Sequence, residues 1–357
     1  MVINAENMTR VRHEKLTRFV TRSFEKLGVT AGDAEIAANA LVAADLRGVD
    51  THGVIRFNPQ AWYVKWLTEG SMTARPNIQI ISENSSTALI DGDRGMGMVI
   101  GHRAMDIAIR KAKESGIGMV AVRNSRHYGM SAYYSMMALP HDMIGIAMTN
   151  ASRQVVPTFG REARFGTNPM CFAVPSGKEL PFVLDMATTT AAAGKLELAA
   201  RQSKAIPLGW ALNERAEGTD DPRVAQKARR LLPLGGSREG GSHKGYGLAI
   251  VVEILCGVLT GTLTALNADQ DPRGHFFGAI RLDTFRPVDE FKRDMDRLLR
   301  ELKGTPPIEG QDRIYAAGEI EFETAAERRE HGIPLLPSVL QGLREAGELV
   351  GVPYDLE

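Results

Sequence analysis

The chain has 357 residues, 43 basic and 43 acidic side chains, with 24% of residues charged and 43% hydrophobic. That length supports two or three domains around a large core, and the composition is that of an ordinary globular protein. The charge balance excludes a general nucleic-acid or anionic-membrane binder, which would carry a basic excess, but leaves room for a local anion site.

The opening residues MVINAENMTRVRHEKL contain no apolar signal core. From Thr9, apolar residues recur at Val11, Leu16, Phe19, Val20, Phe24 and Leu27, the spacing of an amphipathic helix that stops at Gly28. Thr30 with Asp33 has the form of a capping box opening a second helix, which ends near Arg47–Gly48. From Asn77 the texture changes: IQII and TALI predict short strands, and Met98 to Ser115 predicts a helix. IGMVAV predicts a strand, Ser131 to Leu139 a helix, and MIGIAM another strand. PMCFAV and PFVLDM predict two more strands around the turn PSGKEL. A helix near Gly194–Gln202 precedes an irregular stretch from Pro207 to Ser242. The run YGLAIVVEILCGVLTG from Tyr246 is interrupted by Glu253 and falls short of the roughly 20 apolar residues of a membrane span. It reads as a buried helix. HFFGAIRL predicts a strand, and helices such as VDEFKRDMDRLLRELKG fill most of the C-terminus.

The two cysteines, Cys171 and Cys256, supply neither a disulfide framework nor zinc-ligand spacing, which fits a reducing, cytoplasmic setting. The eight histidines contain no HExxH, so no metal is expected.

Two glycine-rich stretches invite a nucleotide reading. In IDGDRGMGMVIG, Gly95, Gly97 and Gly101 approach the dinucleotide fingerprint. The following strand runs into VRNSRHYG and lacks the acid that the fingerprint needs, so close backbone packing is the simpler reading. GGSREGGSHKGYG lacks the Walker pattern, because Gly245 follows Lys244. Small residues with His243 and Lys244 at a helix start still suit an anion cradle. A solvated loop fits that segment equally well.

The stretch DLRGVDTHGVIRF places His52 and Arg56 four residues apart where a helix ends. Histidine titrates nearest neutral pH and serves as both acid and base. A guanidinium grips a carboxylate with two parallel bonds. On one helical turn the pair would share a face. Taken alone, HGVIR also fits a packed histidine beside a solvated arginine.

DLRGVDTHGVIRF, VRNSRHYG, GIAMTNA, FGTNPMCFAVP, FVLDMATT, GWALN, GSHKGYGLAIVVEILCGVLTG and GEIE…GIPL run in order from residue 45 to 335. Together they resemble the malate/L-lactate dehydrogenase family of the second type, which is unrelated to the Rossmann-fold malate and lactate dehydrogenases. The resemblance implies an α/β (α+β) chain with a non-Rossmann, mixed and largely antiparallel sheet flanked by helices. Residues 1–75 with about 285–357 would form a helical substrate and dimerisation domain, and residues 76–284 an NAD(P)-binding domain. It also implies a homodimer that uses NAD or NADP, without a metal, to interconvert a small malate- or lactate-like 2-hydroxy acid and its 2-oxo acid.

Site roles follow from the same resemblance. His52 is the proton donor and acceptor, Thr51 its orienter in place of the usual serine, and Arg56 the carboxylate clamp. Thr167 contacts substrate. His127, Tyr128, Gly129, Met130 and Ser131 contact the cofactor, with His127 near the reacting centre. Asp185, Met186 and Ala187 form a second cofactor segment, His243, Lys244 and Gly245 meet its phosphates, and Glu319 lies in the last cofactor segment. Arg123 and Arg126 are candidates for a 2′-phosphate. Cyclic imino acid reductases (of pyrroline- and piperideine-2-carboxylate) belong to the same family. Some carry a charge near Ala193–Gly194, where this chain has AAAGK ending in Lys195. A dinucleotide-binding protein without catalysis is the alternative from another class.

Overall fold

The computed structural model describes residues 8–262 and 273–356. It opens with β1 (Thr9–Val11), α1 (His13–Lys26) and α2 (Ala31–Leu46). The first predicted helix therefore begins at His13, and the residues before it are extended. α1 buries Leu16, Phe19, Val20 and Phe24 along one stripe, as the periodicity predicts. Thr30 caps α2 by accepting the Asp33 N–H at 3.4 Å, a bond worth about 1 kcal/mol. The Asp33 carboxylate does not close the predicted box; it accepts from Arg103 instead.

β2 (Phe57–Asn58) and α3 (Trp62–Thr68) follow, then β3 (Gln79–Glu83), β4 (Thr87–Asp91), α4 (Gly97–Ser115) and β5 (Ile117–Ser125). Next come α5 (Ser131–Ser135), β6 (Met143–Thr149), β7 (Met170–Val174) and β8 (Phe182–Met186). α5 is shorter than predicted: it tightens into 3-10 turns over Met136–His141, where Pro140 cannot donate to an α-helical ladder. α6 (Ala193–Arg201) is followed by α7 (Pro222–Ala228), inside the stretch expected to be irregular. Asp221 caps α7 by accepting from Arg223 and Val224, and Pro222 stands in its first turn.

α8 (Ser242–Glu253) widens into π-helical turns over Ile254–Val258. Its expected burial is corrected here: Leu248, Ile250, Val251, Ile254, Val258 and Leu259 are exposed. Hydropathy showed that the helix is apolar, but not what covers it. β9 (Arg273–Arg281), α9 (Val288–Lys303), α10 (Glu319–His331), β10 (Ile333–Leu335) and α11 (Pro337–Val350) complete the fold. Among the described residues, no helix is long and apolar enough to cross a membrane.

The main sheet runs β3-β4-β5-β9-β6-β7-β8. Its one parallel pair, β4 with β5, is joined by the crossover helix α4; the other pairs are antiparallel. This is the mixed, largely antiparallel sheet that the resemblance implies. One core cluster packs α4, including Ile100, against Val120 and Phe277 of the sheet. Another joins Phe19, Leu41, Tyr63 and Met98 to Leu340 and Leu343 of α11. β1 pairs with β10, Thr9 opposite Leu335, so the two ends of the chain share one small sheet.

Candidate active site

α2 ends at Arg47 and Gly48, and the left-handed backbone of Gly48 (φ +75°) turns the chain away. Two 3-10 turns follow, Asp50–His52 and Val54–Arg56, separated by extended backbone at Gly53. His52 and Arg56 therefore do not share one helical turn, as their spacing suggested. The break comes from Asp45. Its buried carboxyl reaches over from α2 and accepts the Val54 N–H at 2.7 Å. Burial pushes the Asp45 pKa well above the usual carboxyl range. A side chain at residue 53 would place its Cβ 1.9 Å from Asp45 Oδ1, so only glycine fits. Arg328 of α10 closes the loop from outside, donating to the Asp45 carbonyl and to the Asp50 carboxylate.

Gly53→Ala is accordingly expected to destabilise the chain by about 1–3 kcal/mol and to misplace His52. The urea unfolding midpoint measures the first effect; an unchanged midpoint would remove the steric argument.

A cleft of about 710 Å³ opens beside this loop. Of the predicted site residues, it brings together Thr51, His52, Arg56, His127, Tyr128, Gly129 and Thr167. Thr51 Oγ1 lies 2.9 Å from His52 Nδ1, which leaves Nε2 for a substrate. Burial, then the nearby Arg56 charge, lowers the His52 pKa to about 4. The His127 ring stacks on His52, with centroids 5.6 Å apart and planes 21° apart. His127 Nδ1 is 2.6 Å from the Tyr63 hydroxyl. Burial raises the Tyr63 pKa and holds that of His127 well below its ordinary value. Tyr63 and His127 are thus both neutral, and the tautomer of His127 sets which of the two donates.

Arg56 is held by two contacts. Its Nε donates to the Thr51 carbonyl at 2.6 Å, and its guanidinium lies 4.0 Å over the Trp62 ring. Trp62 has left-handed backbone (φ 63°), because the chain doubles back with Asn58 opposite Ala61 and Phe57 opposite Trp62. Tyr63, Trp62, Trp66, Glu197 and Arg273 reach the site without having been singled out in the sequence. The aromatic run in AWYVKW was the available signal for the first three.

Tyr128 reaches the cleft but is otherwise buried between Tyr134 and His275, stacking on His275 at 4.7 Å, and its hydroxyl lies 2.6 Å from Ser131 Oγ. The remaining predicted residues sit elsewhere. Met130 packs in the core beside Ala44 and Cys171. Asp185, Met186 and Ala187 lie at and beyond the end of β8, outside the cleft lining. Asp185 accepts the Ala132 N–H at 2.7 Å, in the first turn of α5. It keeps solvent contact, yet the dense surroundings push its carboxyl up to about 6.

His243 and Lys244 are exposed in the first turn of α8, and Gly245 is buried there. Glu319 is committed locally: Lys303 donates to it at 2.6 Å and the Ala316 N–H at 3.0 Å. The structure does not bring it to the cleft. Arg123 pairs with Asp91, and Arg126 donates to the Ser71 carbonyl; neither lines the cleft. Gly97 opens α4 directly against the loop that carries His127. A Cβ there would meet the Arg126 carbonyl at 2.1 Å, so this glycine serves packing.

Comparison with known proteins identifies the family. The profile of the malate/L-lactate dehydrogenase family matches residues 11–344. The chain is 44% identical to a malate dehydrogenase of Pyrococcus horikoshii over 353 residues, 97% of each chain. It is 39% identical to an L-sulfolactate dehydrogenase of Methanocaldococcus jannaschii over 348 residues, 96% of this chain and 97% of that one. A crystal structure of malate dehydrogenase from Entamoeba histolytica superposes with a TM-score of 0.92 at 36% identity, covering 97% of this chain and 99% of that one. Fold, motif order and full-length identity converge: the chain belongs to the malate/L-lactate dehydrogenase family, as an oxidoreductase of the 2-hydroxyacid dehydrogenase kind.

Proposed function

We propose that the chain is an NAD(P)-dependent dehydrogenase that interconverts a small, malate-like 2-hydroxy acid and its 2-oxo acid. The observation that carries this reading is the meeting of His52 and Arg56 in one cleft, with His52 neutral and its Nε2 open. The malate and sulfolactate dehydrogenases similar to the chain support the same substrate class.

The residues suit a dinucleotide. The cleft is concave and large, the first turn of α8 carries the exposed His243 and Lys244 at the positive end of the helix, and Gly129 (φ +79°) turns the backbone at the cleft wall. His127 to Ser131, Asp185 to Ala187 and His243 to Gly245 would hold it. Once bound, the nicotinamide accepts or supplies the hydride.

The chain's own residues do the rest. Arg56 grips the 2-carboxylate as a fork. His52 Nε2 takes the hydroxyl proton in oxidation and returns it in reduction, with Thr51 fixing Nδ1. His127 presents a neutral ring to the same cleft, held by Tyr63. Trp62 and Trp66 wall the site and limit water. In this reading residues 1–75 with about 285–357 form the helical unit and 76–284 the cofactor unit.

The active form is a homodimer, supported by the exposed apolar face of α8, on which Val258 is 59% and Ile254 48% accessible. Val258→Asp is expected to shift the sedimentation coefficient from a dimer's to a monomer's. A monomeric wild type would end the dimer reading.

The functional test is absorbance of the reduced nicotinamide, with NADH and NADPH each offered oxaloacetate, pyruvate, and pyrroline- and piperideine-2-carboxylate. Turnover of an open-chain 2-oxo acid supports the proposal and names the cofactor. Turnover of the cyclic imines alone makes the chain an imino acid reductase. No turnover with any of them refutes the proposed reaction.

A further inference from the structure

The cleft is more cationic than a single carboxylate requires. Among the described residues its lining holds four arginines, Arg56, Arg153, Arg229 and Arg273, against one acid, Glu197. His52 and His127 add no positive charge, since both are held neutral near pH 7. Positive charge concentrated in a low-dielectric cleft draws anions and orients them.

Among these arginines, Arg273 is the one that the sheet ties to the His127 loop. It is the first residue of β9, and its register partner is Ser125, the last residue of β5. Two residues beyond Ser125 the chain reaches His127. Arg56 arrives at the same imidazole from the opposite part of the sequence, through the turn after Gly53. Both guanidiniums repel a proton on His127, so both charges are felt at that ring. His275, two residues along β9, is wedged behind the ring of Tyr128, with Nδ1 2.7 Å from Thr149 Oγ1 and Nε2 2.8 Å from Ser125 Oγ. Those bonds fix the start of β9, and with it the backbone of Arg273, against the His127 loop.

Two guanidiniums in one cleft, both felt at His127, match a substrate with two anionic ends better than a substrate with one. We infer that Arg273 is a specificity residue, binding a second anionic group at the far end of a 2-oxo acid whose 2-carboxylate is held by Arg56. This rests on the proposed reaction and adds to it the preference for an acid with a charged terminus.

The test compares two four-carbon acids, oxaloacetate with a second carboxylate and 2-oxobutanoate with a methyl group in its place. kcat/KM for each is measured in the wild type, Arg273→Gln and Arg273→Lys, alongside NADH and NADPH affinity by fluorescence titration. The wild type is expected to prefer oxaloacetate. In Arg273→Gln that preference falls by about 30- to 100-fold, the loss of one charged hydrogen-bonded contact. Arg273→Lys restores part of it, because the charge returns without the fork. Equal losses for both acids overturn the inference, and a simultaneous loss of cofactor affinity assigns Arg273 to the cofactor. A wild type that reduces 2-oxobutanoate as well as oxaloacetate also overturns it, while leaving the proposed reaction intact. A wild type that reduces neither acid overturns both.

Discussion

His52→Ala is expected to slow turnover by about 100-fold or more while cofactor affinity is retained. The reasoning starts from the neutral state of His52. Burial and the Arg56 charge lower its pKa to about 4, so near pH 7 it is a ready base for the hydroxyl proton of a 2-hydroxy acid. In the reverse direction the same ring must first be protonated. Above its pKa that form declines tenfold per pH unit, so kcat/KM for 2-oxo acid reduction should rise about tenfold per unit as pH is lowered from 8 towards 5. Oxidation should show no such gain. In His52→Ala the slope in the reduction profile disappears together with the rate. Steady-state kinetics in both directions, with cofactor titration, measure all three effects. A variant with near-normal turnover would remove His52 from the mechanism.

The second large effect is expected at Arg56. Arg56→Lys keeps the charge but loses the fork, the Nε bond to the Thr51 carbonyl and the flat stack on Trp62. The loss of a bidentate charged contact corresponds to about 2–3 kcal/mol, or roughly 30- to 150-fold in kcat/KM. It should fall mainly on KM, because the carboxylate is held equally before and during hydride transfer. An unchanged KM for every acid tested would contradict the clamp. A drop confined to kcat would move Arg56 from binding to transition-state stabilisation.

How far the sequence revealed this site depended on the range of each interaction. The stripe of α1 and the Thr30 cap are local, and both read correctly. β1 did not, because its pairing partner β10 lies more than three hundred residues away. His52 and Arg56 were legible as neighbours, but their geometry was not. Asp45, seven residues before His52, breaks the turn between them through one buried bond to Val54. Tyr63 and Arg273 were missed because each reaches His127 from another part of the fold. The apolar run from Tyr246 was read as buried because hydropathy does not distinguish a core helix from one with an exposed apolar face. Arg123 and Arg126 showed the reverse problem: basic residues near a cofactor loop turned out to be engaged by Asp91 and by the Ser71 carbonyl.

The pairing of β1 with β10, and the bonds from Arg328 to Asp45 and Asp50, bear on how the chain is made. During synthesis the His52 loop leaves the ribosome early, while its clasp on α10 and the α11 side of its core come more than two hundred and fifty residues later. Until then Phe19, Leu41 and Tyr63 have no complete apolar partner surface, and a nascent chain must carry them exposed or shielded by a chaperone. The sheet can assemble as it emerges, but the His52 loop is clasped last. A stalled or prematurely ended chain would therefore hold a nearly whole sheet and an unfinished His52 loop.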